Sequence, residues 1–264
     1  MMLDTFLAPG GTAAAALLLF RVTGMMAVAP VFSARVVPLQ WKAAFTGLLV
    51  LLLLPAAAAA GGPELQVTPA ALAAELVVGF TLGFAGGILI HAAEVAGDFI
   101  AVQTGLSGAN LLDPLSETQM PVLGQFLGLT AMTSFLMVGG HRVVLETLGF
   151  SLEAVTPGSR IEVEGLRTLV ETGSHLFLLG LRIAAPVIAA VTIGNVALGV
   201  LARTVPQMNI LMTAFPLQIG IGLLMLAATL PLVGWLVAGW PGQYRELSDE
   251  LLFQLVPPPA GEGT

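Results

Sequence analysis

The chain has 264 residues, of which 56% are hydrophobic and only 9% charged. A water-soluble domain carries about 25% charged residues, so most of this chain must face something other than water, with lipid the natural candidate. The net charge of −7 argues against a nucleic-acid partner, which requires a basic face, and the absence of cysteine excludes disulfides, thiolate catalysis and iron–sulfur clusters.

The charges divide the chain into apolar spans. Residues 1–11 contain no Lys or Arg, and Arg21 lies inside the first apolar run, the reverse of a cleaved secretory signal. That run is expected to persist as the first helix. Lys42 to Glu64 then encloses 21 uncharged residues, Glu75 to Glu94 encloses 18, and Glu117 to Arg142 encloses 24. Further on, Arg182 to Arg203 encloses 20 and Arg203 to Arg245 encloses 41. A spanning helix needs about 20 apolar residues, and only a helix satisfies its own backbone in lipid without closing a barrel. Continuous apolar runs exclude the alternating strands of such a barrel.

These intervals predict an all-α polytopic membrane protein of about six apolar helices, roughly over 12–32, 43–60, 70–93, 119–140, 173–200 and 209–238. Some are Pro-kinked, and the set is expected to be arranged as helical hairpins. The last interval is long enough for two short helices, with Pro216 and Pro231 as the breaks. The charge-rich segment 141–172 reads as a polar loop with a short amphipathic helix near 161–172, opening after Pro157-Gly158. Together these form a single membrane-embedded helical domain over 1–256, followed by a flexible tail over 257–264, where three consecutive prolines begin. The cations at the span ends, four on one side and three on the other, set no orientation.

Polar groups inside apolar spans are the first functional candidates, because an ionised side chain in lipid is costly. His91, Glu94 and Asp98 share one face of the third helix. They read as interface groups at a helix end, as a buried polar contact, or as a metal site built on a His-x-x-Glu pair. Arg21 and Arg182 each lie within a span, where they would pair with Glu75 or another acid, line a watery passage, or snorkel to the interface. Gly79, Gly83, Gly86 and Gly87 cluster on the third helix, where small residues allow close helix packing. No phosphate-binding loop, dinucleotide fingerprint, zinc-protease motif or nucleophile elbow is present, so no cofactor is implied.

The stretch 103–121 is neither a span nor a charged loop. Gly105, Ser107, Gly108 and Asn110 suit tight turns and Asp113-Pro114 starts one, yet Leu106, Leu111 and Leu112 are apolar. Irregular backbone of this kind is stable at membrane depth only where protein surrounds it or it lines a cavity. It reads equally as an ordinary connector.

The order of several blocks resembles the FliR family, subunits of the export gate in flagellar type III secretion. These blocks are Arg21 and Gly24 with Ala29-Pro30-Val31-Phe32; Glu75 with Gly79-Phe80 and Gly83-Phe84; and Gln103-Thr104-Gly105-Leu106-Ser107 with Asp113-Pro114. Gly139-Gly140-His141-Arg142 follows with Ser151 and Pro157-Gly158, then Ala202-Arg203-Thr204-Val205-Pro206-Gln207-Met208-Asn209-Ile210 and Phe215-Pro216-Leu217-Gln218-Ile219-Gly220. The resemblance implies a non-enzymatic channel subunit at the bacterial inner membrane, within the flagellar basal body. It would assemble with FliP-like and FliQ-like subunits, near FlhB-like and FlhA-like components, and pass unfolded flagellar proteins. It also implies that the loop near 105–120 is a channel plug, here Gly105, Leu106, Ser107, Gly108, Ala109, Asn110, Leu111, Leu112, Asp113 and Pro114. The family often carries aromatic residues near the positions of Gly108 and Leu111, which here are small and aliphatic. Read without the resemblance, Arg21, Glu75, Glu94 and Asp98 would suit the relay of a secondary transporter, and His91, Glu94 and Asp98 an intramembrane enzyme.

Overall fold

The computed structural model describes residues 10–34, 36–62, 65–108, 122–161, 163–204 and 210–255. Among these, seven α-helices follow one another: α1 (Gly11–Val28), α2 (Leu39–Gly61), α3 (Pro69–Gln103), α4 (Val122–Met137), α5 (Gly140–Ala154), α6 (Val163–Thr204) and α7 (Ile210–Leu255). One short 3-10 turn, Leu106–Gly108, stands after α3. No strand occurs among the described residues, and the chain is an all-α polytopic membrane protein. Five helices are long and apolar enough to cross a membrane, or six if α4 and α5 together make one span.

Local chemistry sets several of the boundaries. Thr68 caps α3: its Oγ1 accepts the Ala71 N–H at 3.1 Å, and Pro69 fills the first helical position, where a missing N–H costs nothing. Left-handed glycines precede two other helices, Gly10 before α1 (φ 85°) and Gly139 before α5 (φ 78°). Pro55 and Pro186 lie within α2 and α6 without ending them.

α2, α3, α6 and α7 run past the expected spans, whereas α1 and α4 stop short at Val28 and Met137. α3 continues beyond 93 to Gln103, carrying Glu94 and Asp98 within it. α7 runs unbroken through Pro216 and Pro231 and on past Arg245 to Leu255, so the single helix expected over 209–238 is longer than expected and neither proline breaks it. Once a helix is nucleated, propagation is cheap, and an end that leaves the apolar layer can carry charges. The polar-loop reading of 141–172 is also corrected. Residues 140–154 form α5, whose buried side is Val143, Val144, Thr147, Leu148, Ser151 and Leu152, a helical repeat of apolar and small residues. The helix expected near 161–172 begins at Val163 and is the start of α6. The expected tail, 257–264, lies outside the described residues.

Internal contacts divide the chain into two compact units, Met1–Ile88 with Leu136–Gly173 and Trp240–Thr264, and Leu89–Phe135 with Ser174–Gly239. In the first unit, α1 and the N-terminal half of α3 cross at backbone contact. A β-carbon at Gly79 would overlap the Arg21 carbonyl, one at Gly83 the Met25 carbonyl, and one at Gly24 the Leu76 carbonyl. Glycine is the residue that permits this approach. The last turns of α7 close the same unit: Tyr244 is buried, stacks on Trp240 at 4.7 Å and donates its hydroxyl to the Leu82 carbonyl at 3.2 Å. In the second unit, Gly97 of α3 meets the α4 backbone at Leu123 and Gly124, and Gly180 of α6 meets α3 at Ala92 and Val95.

Candidate functional site

The first unit holds a buried ion pair. Arg21 is 0% exposed and Glu75 2%. Arg21 Nε donates to Glu75 Oε2 at 2.5 Å, and Nη2 donates to Glu75 Oε1 at 3.1 Å. Nη2 also donates to the Val155 carbonyl at 3.0 Å, and Nη1 donates to the Ser151 carbonyl at 2.8 Å and to Ser151 Oγ at 3.2 Å. A guanidinium has five N–H donors, and these five bonds match them. Glu75 Oε1 accepts a further bond from the Gly158 amide at 2.8 Å. Ser151 and Val155 lie at the C-terminal end of α5, where the helix dipole favours a cation. The pair therefore ties α1, α3, the end of α5 and the Pro157-Gly158 turn into one node. All five Arg21 donors and both Glu75 carboxylate oxygens are thus engaged in hydrogen bonds within the chain. Its chemistry is that of a staple.

Arg182 is different. It lies on the exposed side of α6, away from this node in sequence and unit. The two arginines inside spans thus have unlike roles, one saturated and buried, the other at the surface of the chain.

In the second unit, His91 Nδ1 and Glu94 Oε2 stand 3.0 Å apart on α3, and both side chains are nearly half exposed. Asp98 is exposed. The stripe runs along the small-residue side of α4: a β-carbon at Gly128 would overlap the Glu94 side chain and one at Gly124 would overlap Asp98. Glu94 also lines a 310 Å³ cleft with Ile90, Gln125, Gly128, Leu129 and Met132. The helix does not end at these residues, so they are not an end-of-helix cluster. Among the described residues no group of three His, Asp or Glu side chains is placed to hold a metal ion.

Of the loop near 105–120, the described residues are Gly105, Leu106, Ser107 and Gly108. Gly105 turns the chain out of α3 with φ 76°, the left-handed conformation glycine favours, and Leu106–Gly108 make the 3-10 turn. Ala109, Asn110, Leu111, Leu112, Asp113 and Pro114 lie outside the described residues. The turn sits beside two side-chain bonds between helices. Gln103 Nε2 donates to Thr192 Oγ1 at 3.0 Å, and Gln218 Nε2 donates to Asn195 Oδ1 at 2.5 Å.

Sequence reasoning singled out Arg21 and Glu75 and overlooked Ser151, Val155 and Gly158 as their partners. All three act through backbone atoms, Ser151 through its hydroxyl as well, and composition carries no mark of that. It also overlooked Thr192 and Asn195, whose spacing of three on an otherwise apolar stretch of α6 was the available signal.

Comparison with known proteins places the chain in a family. A family model described as "Bacterial export proteins, family 1" matches residues 12–240. The chain is 32% identical to the flagellar biosynthetic protein FliR of Escherichia coli K12 over 217 residues, covering 81% of this chain and 83% of that protein. It is 28% identical to FliR of Bacillus subtilis 168 over 222 residues, covering 82% and 86%. It is 30% identical to FliR of Pectobacterium carotovorum over 237 residues, covering 89% and 91%. The matched region takes in α1 with Arg21, α3 with Glu75 and the Gln103–Gly108 segment, so both candidate sites lie within it. The chain belongs to the FliR family of bacterial export proteins.

Proposed function

We propose that this chain is a non-enzymatic, channel-forming subunit of the flagellar protein-export gate. It assembles with FliP-like and FliQ-like membrane subunits at the bacterial inner membrane, within the flagellar basal body. FlhB-like and FlhA-like components act beside it, and unfolded flagellar proteins pass through the assembly. The loop near 105–120 acts as its plug. The observation that carries this reading is family membership over residues 12–240, with relatives named for flagellar biosynthesis that match most of their own length.

The surface of the chain supports it. The apolar window of α3 is 72% buried within the chain, but those of α6 and α7 are 28% and 22% buried. Phe177, Leu178, Ile193, Val196, Met212 and Leu224 are exposed on these two helices. Lipid alone can cover such a surface, but so can neighbouring apolar helices, and a subunit of a multi-chain gate needs both. The ion-pair node supports it in another way. Arg21 and Glu75 are consumed by internal bonds, which suits a rigid scaffold and leaves no relay between them.

The test is complementation. Deleting the gene in its own host should abolish secretion of flagellar subunits, and the intact chain supplied in trans should restore secretion and swimming. Secretion that continues without the chain would overturn the reading.

A further inference from the structure

The exit from α3 is held by a set of side chains that the export-gate reading does not require. Thr104 and Gly105 carry the chain out of the helix, with Thr104 Oγ1 donating back to the Ile100 carbonyl at 2.8 Å. This turn rests on one side of α7, at Phe215, Gln218 and Gly222, whose spacings of three and four align them. A β-carbon at Gly222 would overlap the Thr104 methyl. One at Gly105 would lie 3.1 Å from the Phe215 ring and 3.8 Å from Gln218 Oε1. The seat is shaped to this turn.

Two amides fix the helices that form the seat. Gln103, the last residue of α3, donates to Thr192 on α6, and Gln218 on α7 donates to Asn195 on α6. Thr192 and Asn195 are three residues apart, so both bonds leave the same side of α6. The Thr192 hydroxyl gives its own proton to the Ile188 carbonyl at 2.7 Å. Its oxygen is therefore the acceptor for Gln103, and the bond has one direction. Four polar side chains join the end of α3 to α6 and α7 within their apolar stretches, where hydrophobic contact alone would leave the helices free to slide.

We propose that Gln103, Thr192, Asn195 and Gln218 form a polar latch that positions the Thr104–Gly108 turn on α7 and so holds the root of the closing loop in the resting gate. The inference rests on the reading of that loop as a plug. These are positioning residues: they act through the turn, not on the passing protein.

The test measures ion leakage in cells that carry the assembled complex, with deletion of residues 106–112 as the reference. Thr192→Val removes the acceptor, and Gln103→Glu removes the donor at nearly constant size. Both should raise leakage about fivefold over the unaltered complex, the population shift that one net hydrogen bond supports. Thr192→Ser keeps the hydroxyl and should seal normally, an outcome that a loss of packing would not produce. Native mass spectrometry should find the complex intact in each case. Should Thr192→Val assemble poorly, Gln103→Glu carries the comparison. Tight complexes for both Val and Glu variants, alongside a leaking deletion, would overturn the latch and leave the plug standing. A deletion that does not leak in an intact complex would overturn the plug reading, and the latch with it.

Discussion

Arg21 and Glu75, 54 residues apart in sequence, meet in a two-point ion pair with Nε–Oε2 at 2.5 Å, and the same glutamate anchors the Gly158 amide. One turn further along α3, Gly79 receives the Arg21 carbonyl where any side chain would collide. The arginine is thus gripped by its side chain and its backbone on one side of one helix.

Removing one partner of this pair should cost far more than removing both. Arg21→Ala would strand a buried carboxylate, at about 3–5 kcal/mol, while a paired apolar replacement such as Arg21→Met with Glu75→Leu should recover a large part of that. The measurement is the temperature at which the detergent-solubilised complex loses this subunit, together with its level in the membrane. A double variant whose loss equals the sum of the two single losses would show that the charges do not act as a pair.

The crossing of α1 and α3 makes a steric prediction. Gly79→Val should destabilise the chain by at least the 1–3 kcal/mol typical of overpacking, because the obstacle is backbone. Gly47→Ala on α2, where nothing lies within 4 Å, should be neutral or stabilise by up to about 1 kcal/mol. Comparing heat resistance of the two variants checks this, and a tolerated Gly79→Val would mean that α1 and α3 are not in contact.

The half-exposed His91–Glu94 pair and exposed Asp98 offer a way to separate a gate from a transporter. If export needs no carboxylate relay in this subunit, Glu94→Gln and Asp98→Asn should secrete flagellar subunits at rates within about twofold of the unaltered chain, since exposed pairs contribute little. Secretion assays across the two variants decide it. A loss of more than tenfold in an assembled complex would favour the relay.

Deleting residues 106–112 should leave assembly intact and raise ion leakage across the membrane. Membrane-potential dyes in cells, with native mass spectrometry on the purified complex, measure both at once. Unchanged leakage from an intact complex would remove the plug role from this loop.

The apolar runs made the helices legible, because in lipid a long uncharged stretch has few other options. Their ends were not legible. α3 and α7 carry Glu94, Asp98, Arg245 and Glu250 inside continuous helix, so charge marked the edge of the apolar layer and not the end of the helix. α5 was missed for a related reason: its charges read as loop, although Arg142 and Glu146, four apart and paired at 2.7 Å, carried the helical spacing. At the node, Arg21 and Glu75 stood out as misplaced charges, but their backbone partners at Ser151, Val155 and Gly158 left no trace in composition. The Gln103–Thr192 and Gln218–Asn195 bonds were hidden because each partner is an unremarkable polar residue until the fold brings it across to another helix.

The most direct test of the central claim is co-expression with the FliP-like and FliQ-like proteins of the same source, followed by affinity capture and native mass spectrometry. The account predicts a discrete complex in which this chain is held together with several copies of both. A monodisperse chain that leaves both partners unbound would contradict it.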